Sequence, residues 1–257
     1  MHTITMFATK GGAGRTTTLM ALACGFRAIG ERVAVMDGTG DPGWHTENEV
    51  FSTLQTWELM AKDVRLDIDA HPFKLFQAGT CRQIEDQSTS AKAAGFDILL
   101  IDTQHRLEAH QATALGLADL VIAPATGTIE ARCTADSSPE VLGFSKNVFG
   151  LVTGCRNGMV EAAETRAVLG DHPVFQSELP WSEVFKDLSQ IGNIERFVSS
   201  LHCTSRDSGF ARYINARDAW QAVKHLTQEV GWALDGYRLA PFKKEQPVYD
   251  FQREAIA

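Results

Sequence analysis

The sequence contains no CxxC pair, no apolar run of the ~18 residues a membrane span needs, no low-complexity linker and no internal repeat. Each absence removes a class of protein. The five cysteines, Cys24, Cys81, Cys133, Cys155 and Cys203, are odd in number and widely spaced. That spacing argues against a disulfide framework or a zinc site and for reduced thiols in a cytoplasmic protein. Met1-His2-Thr3-Ile4-Thr5-Met6 carries no cationic segment leading into a long apolar one, so it does not read as a signal peptide. Basic residues are the scarcer sign, 24 against 32 acidic, for a net charge of −8. Strong sequence-independent DNA binding rests on Lys and Arg neutralising phosphates. The balance therefore speaks against it, except through a local basic patch formed in one state.

What is present is an ordinary globular composition, 44% apolar over 257 residues. Short apolar runs alternate with helical patterns. The runs are Thr3–Ala8, Arg32–Asp37, Pro72–Gln77, Asp97–Asp102, Asp119–Pro124, Asn147–Thr153 and Pro173–Phe175. Helical spacing covers stretches such as Thr16–Ile29, Arg82–Ala94, Glu108–Leu117 and Glu161–Leu169. This alternation predicts βαβ units and an α/β fold with a mostly parallel central sheet flanked by helices on both faces. Runs such as Ile98-Leu99-Leu100-Ile101 are apolar throughout, as strands covered on both sides are. Residues 1–235 read as one domain, ending in an amphipathic helix over Asp207–Ala233 with Phe210, Tyr213, Ile214, Trp220, Val223 and Leu226 near one face. Residues 236–257 read as a C-terminal tail.

The most specific motif is Thr9-Lys10-Gly11-Gly12-Ala13-Gly14-Arg15-Thr16-Thr17, set between an apolar strand and a helix. Glycines let the backbone turn successive N–H groups onto phosphate oxygens, and the helix start adds the positive end of its dipole. The Thr16 hydroxyl suits Mg²⁺. The dinucleotide fingerprint GxGxxG does not apply, because its third glycine falls at Thr17. The competing reading is a glycine-rich turn that binds nothing. Strand, loop, cation, Thr pair and helix occurring together favour the phosphate loop.

Lys10-Gly11-Gly12-Ala13-Gly14-Arg15-Thr16-Thr17 resembles the deviant Walker A motif, KGGxGKTT, of the ParA/MinD family. The resemblance implies that residues 10–17 bind ATP or ADP. It further implies that Lys10 acts across a nucleotide-sandwich homodimer, and that the second family lysine, on the β- and γ-phosphates in cis, is replaced by Arg15. Arg keeps the charge but is longer, planar and forked. Arg15 therefore either binds phosphate through its fork or crowds the loop, and slow or absent hydrolysis is expected.

The family's first-switch Asp is matched by Asp37, at the end of Arg32-Val33-Ala34-Val35-Met36-Asp37. Its second, hydrolytic Asp falls at Thr39. Asp41 stands two residues on and reads either as a substitute or as a turn residue before Pro42. Phe96-Asp97-Ile98-Leu99-Leu100-Ile101-Asp102-Thr103 resembles a Walker B strand, making Asp102, with Thr16 and Asp37, a candidate for Mg²⁺. Gln104-His105 stands where the family has a Pro pair. Ala118–Pro124 and Leu179-Pro180-Trp181-Ser182-Glu183-Val184-Phe185 resemble later family segments, the second near a base-binding loop. Thr153 occupies about the place of the adenine-contacting Asn, with Asn157 four residues on.

The resemblance covers roughly residues 1–200 and implies a small ParA form. It implies an ATP-driven switch that positions plasmid DNA or another cargo, with an adaptor protein and a DNA surface drawn from Arg206, Arg212, Arg217, Lys224, Lys243 and Lys244. More weakly, Asp37–Asp41 and Asp102–His105 resemble accessory proteins of conjugative DNA transfer. The second reading is a nucleotide-binding scaffold with little turnover. A membrane-surface ATPase is disfavoured by the mixed charge of Tyr249–Ala257. No acceptor motif favours a kinase or synthetase.

Overall fold

The computed structural model describes residues 1–39, 52–61, 73–105, 107–145, 147–155, 158–170, 173–204 and 210–235. Six strands form one sheet: β1 (His2–Met6), β2 (Val33–Gly38), β3 (Lys74–Gln77), β4 (Ile98–Thr103), β5 (Leu120–Ala125) and β6 (Val148–Val152). Their order is β3-β2-β4-β1-β5-β6, and every pairing is parallel. Parallel neighbours need crossover helices, and these cover both faces.

Alternation along each strand divides the core. Ile4, Met6, Val33, Val35, Ile98, Leu100, Leu120 and Ile122 face one layer. It contains α1 (Arg15–Ala28), α2 (Thr53–Ala61), α7 (Glu183–Lys186), α8 (Leu188–Ile191), α9 (Ile194–Thr204) and α10 (Phe210–Leu234). Ala34, Met36, Leu99 and Ile101 face the other. There lie α3 (Cys81–Ala93) and α4 (Ala109–Gly116), continued by α5 (Thr128–Leu142) and α6 (Gly158–Leu169). β4 and β5 are buried at every position. Each large aliphatic side chain so buried contributes about 1.5–3 kcal/mol of transfer free energy.

The predicted strands and helices agree with these elements to within a few residues, with one correction. Pro173–Phe175 does not make a seventh strand: it meets β6 through the isolated bridge Gly150–Val174. The backbone beyond it is taken by side chains. Glu229 accepts from Gln176 N at 2.6 Å and Ser177 N at 2.7 Å, while Arg166 donates to the carbonyls of Phe175 and Gln176. With those groups engaged, pairing to β6 is interrupted and resumes only at the isolated bridge Thr153–Leu179.

α10 matches the predicted final helix, but its buried face lies farther along the chain. It is made by Ala216, Ala219, Trp220, Val223, Leu226, Thr227 and Val230, with Phe210 left 54% exposed. α10 packs closely on α1: a Cβ on Gly25 would fall 1.9 Å from Thr227 Oγ1. The four described cysteines, Cys24, Cys81, Cys133 and Cys155, are free. Burial pushes the Cys24 thiol up to about 12, the behaviour of an inert core residue. The expected tail, Asp41, Asn157, Arg206, Lys243 and Lys244 lie outside the described residues.

Candidate functional site

All six strands point their carboxyl ends the same way. β1 and β4 lie side by side there while their connections leave in opposite directions, the crevice where open α/β sheets bind ligands. Residues 9–14 leave β1 and turn into α1. Gly12 (φ 82°) and Gly14 (φ 91°) adopt the left-handed backbone this turn needs. Gly14 is doubly constrained, since a Cβ there would also meet Thr153 Oγ1 at 2.6 Å. Thr153 donates to the carbonyl of Ala13 at 3.3 Å, tying the end of β6 to the loop.

Gly14 is the N-cap of α1, and no side chain caps this helix. By contrast Thr80 accepts from Gln83 N at the start of α3, and Ser182 from Val184 N at α7. The first N–H groups of α1 are thus left facing the loop, as an anion site requires.

At the foot of the loop, Thr16 Oγ1 donates to Asp102 Oδ2 at 2.6 Å. Asp102 is 2% exposed. Burial raises its carboxyl to about 6 against the opposing hydrogen bond from Thr16 and the charge of Arg15, and Asp37 adds a further upward push. Its Oδ1 is buried and has no hydrogen-bond partner among the described residues. An orphaned carboxylate oxygen is costly unless something completes it. Asp37 stands directly across from Asp102 in the β2–β4 register. Its carboxylate accepts from Thr39 N (3.2 Å), Thr39 Oγ1 (2.7 Å) and Ser52 Oγ (3.2 Å). Thr39 therefore orients the Asp37 carboxylate. Two facing carboxylates and a hydroxyl, one oxygen unpaired, fit an oxygen-seeking divalent cation that completes its shell with phosphate and water.

The two cations of the loop point to different places. Arg15 turns inward and donates through Nη1 to the carbonyl of Thr103 at 2.5 Å. Burial lowers its pKa, partly offset by the charge of Asp102. Lys10 turns outward to Glu130, near the start of α5, with Nζ–Oε1 at 2.5 Å. The hydrogen bond to Glu130 raises the Lys10 pKa. Partial burial pushes Glu130 upward, but the contact with Lys10 outweighs it and leaves the carboxyl below its ordinary value. Gly11 and Gly12 are exposed, Ala13 is buried, and Thr17 lines a cavity of about 510 Å³. This cavity runs from Gly12 and Gly14 past Thr126, Thr153 and Gly154 to Leu179, Pro180 and Trp181.

The fold thus brings Lys10 through Thr17, Asp37 and Asp102 to one crevice. Two of the candidate basic residues of α10 are engaged elsewhere. Arg212 lies over the Phe197 ring at 5.3 Å, and Arg217 pairs with Asp218. Sequence reasoning passed over Glu130, Ser52 and Thr126. Glu130 had a faint signal as an acidic residue in the first turn of a helix that follows an apolar strand.

Comparison with known proteins bears on the family and the fold. No curated protein matches the chain. Among solved structures, the MinD cell division protein of Aquifex aeolicus superposes with a TM-score of 0.59 at 18% identity, covering 93% of this chain and 99% of its own. The septum site-determining protein MinD of Pyrococcus horikoshii, complexed with Mg-ADP, gives 0.58 at 17%, covering 89% and 95%. A McdA–ATP complex from Cyanothece gives 0.55 at 17%, covering 90% and 96%. At these identities the likeness is one of fold. Residues 1–138, just over half of the sequence, match the family model described as VirC1 protein. The chain accordingly belongs to the VirC1 family and shares the fold of the MinD proteins.

Proposed function

We propose that this protein is a ParA-like switch that binds ATP with Mg²⁺, dimerises around it and hydrolyses it slowly, in DNA partitioning, DNA transfer or cargo positioning. The observation that carries the reading is the Thr16–Asp102 pair, 2.6 Å apart at the foot of an uncapped helix, with Asp102 Oδ1 unpartnered. Gly11, Gly12, Ala13, Gly14 and Thr17 would cradle the phosphates through backbone and hydroxyl, and Arg15 would add one arm of its fork. Thr16, Asp102 and Asp37 would hold the Mg²⁺, which neutralises charge on the phosphate oxygens. Lys10 would leave Glu130 to reach the partner subunit's nucleotide.

Support for the nucleotide comes from solved relatives in fold, one complexed with Mg-ADP and another with ATP. A role in placing a cargo is in keeping with the septum site-determining MinD. The DNA surface would draw on Lys224 and on Arg212 and Arg217 released from their present contacts, and an adaptor protein would stimulate turnover. No helix among the described residues is long and apolar enough to cross a membrane. ATP binding measured by calorimetry, with sizing in ATP and in ADP, tests the reading: Mg-dependent binding and an ATP-specific dimer are expected.

A second reading rests on Arg15 and Thr39. With Arg15 anchored on Thr103 and a threonine at the hydrolytic position, the protein would be a nucleotide-bound scaffold with little turnover. Steady-state ATPase activity at the level of conventional ParA proteins would exclude it.

A further inference from the structure

The start of α2 reads Ser52-Thr53-Leu54-Gln55, a serine followed three residues on by a glutamine. That is the capping-box pattern, and it closes from both sides. Ser52 N donates to Gln55 Oε1 at 2.8 Å, and Ser52 Oγ accepts from Gln55 N at 3.2 Å. Capping uses only a lone pair of the serine oxygen, so the hydroxyl proton is left over. It is donated to Asp37 Oδ2 at 3.2 Å.

The other oxygen of Asp37 is already filled. Oδ1 accepts twice, from Thr39 N and from Thr39 Oγ1. Each carboxylate oxygen offers about two acceptor sites, which leaves Oδ2 with the open one. A cation shared with Asp102, the residue across the β2–β4 register, would meet Asp37 at the oxygen that Ser52 holds.

The far end of α2 is clamped. Trp57 Nε1 donates to the carbonyl of Gly192, after α8, at 2.6 Å, and Arg196 of α9 donates to the carbonyl of Ala61 at 3.3 Å. Glu58 accepts from Leu75 N of β3 at 3.3 Å. Gly192 (φ 75°) lies so near that a Cβ there would fall 2.6 Å from the Met60 backbone. A helix packed this tightly moves as a body and transmits a shift at Ser52 instead of absorbing it.

Resting on the nucleotide and Mg²⁺ reading above, we propose that Ser52 is a positioning residue of the cation site: its single hydroxyl aims Asp37 Oδ2 and ties the state of that oxygen to α2.

The test uses the full-length chain, with Mg²⁺ titrated at fixed ADP by calorimetry and hydrogen exchange of the α2 amides followed in parallel. Ser52→Gly keeps an accepted N-cap residue but removes the donor. It is expected to lower the apparent Mg²⁺ affinity about tenfold and to leave ADP binding in EDTA unchanged. The Mg²⁺-dependent change in α2 exchange, expected in the wild type, should disappear. Ser52→Thr keeps the hydroxyl and should restore both readouts. Wild-type Mg²⁺ affinity in Ser52→Gly would overturn the proposal. So would an equal loss of ADP affinity with and without Mg²⁺, the mark of a merely structural role, or wild-type α2 exchange that ignores Mg²⁺. A folded wild type that binds no ADP, or binds it with no response to Mg²⁺, would instead bring down the reading on which this proposal rests, and the proposal with it.

Discussion

Arg15, in the position of the ParA lysine, donates a guanidinium hydrogen bond to the carbonyl of Thr103, the last residue of β4. The contact joins the start of α1 to the chain that follows Asp102. One prong of the fork is spent on backbone, and the remaining N–H donors are what phosphate would meet. Substituting Arg15→Ala removes both roles. Mg·ATP affinity is expected to fall at least tenfold, with thermal stability down by about 1 kcal/mol for the lost hydrogen bond, as measured by calorimetry and melting.

Gly14→Ala challenges the loop at its tightest point. The added Cβ meets Thr153 Oγ1 at 2.6 Å on a residue with φ 91°. Strain of about 1–3 kcal/mol is expected. Nucleotide affinity should drop at least tenfold in a protein that still melts cooperatively. Gly12→Ala has open space around its Cβ, so its cost comes from φ alone and should be the smaller of the two.

Asp102→Asn keeps an oxygen for Thr16 Oγ1 but removes the carboxylate charge. The variant should fold with stability within about 1 kcal/mol of wild type, because the orphaned buried charge is gone. Its residual ATP affinity should no longer respond to Mg²⁺. A magnesium titration of both proteins at fixed ATP checks this, and an unchanged Mg²⁺ response would place the cation elsewhere.

Glu130→Gln weakens the hold on Lys10 and removes the charge opposite it. If Lys10 must swing to a partner subunit, the variant should dimerise at lower ATP concentration than wild type. Light scattering across an ATP series reads this directly.

Glu229 is tested through stability. Glu229→Ala leaves the N–H groups of Gln176 and Ser177 without their acceptor beneath α10. Unfolding free energy should fall by about 2–4 kcal/mol in chemical denaturation.

Much of this was legible in the sequence where one periodicity and one chemistry coincide. Ile98–Ile101 and Leu120–Ala123 are buried on both faces and read as strands from aliphatic content alone. The glycine-rich loop, Asp37 and Asp102 are local motifs at strand ends, and the fold gathers them because parallel strands end together. Other parts were not local. α5 contains Ser137-Ser138-Pro139, turn formers that mask a helix held by packing on β5 and α6. Glu130 reaches Lys10 across 120 residues, and Glu229 reaches Gln176 across 53. No spacing rule connects such pairs. Trp181 stood within a recognised segment, but its exposure and the cavity beside it exist only in three dimensions.

The central claim is a Mg·ATP site whose turnover is limited by Arg15, and it is tested most directly by measuring ATP binding and hydrolysis of the wild type beside Arg15→Lys. The account predicts that both proteins bind Mg·ATP and that the lysine variant hydrolyses it about tenfold faster or more. A correctly folded wild type that fails to bind ATP in the presence of Mg²⁺ would contradict it.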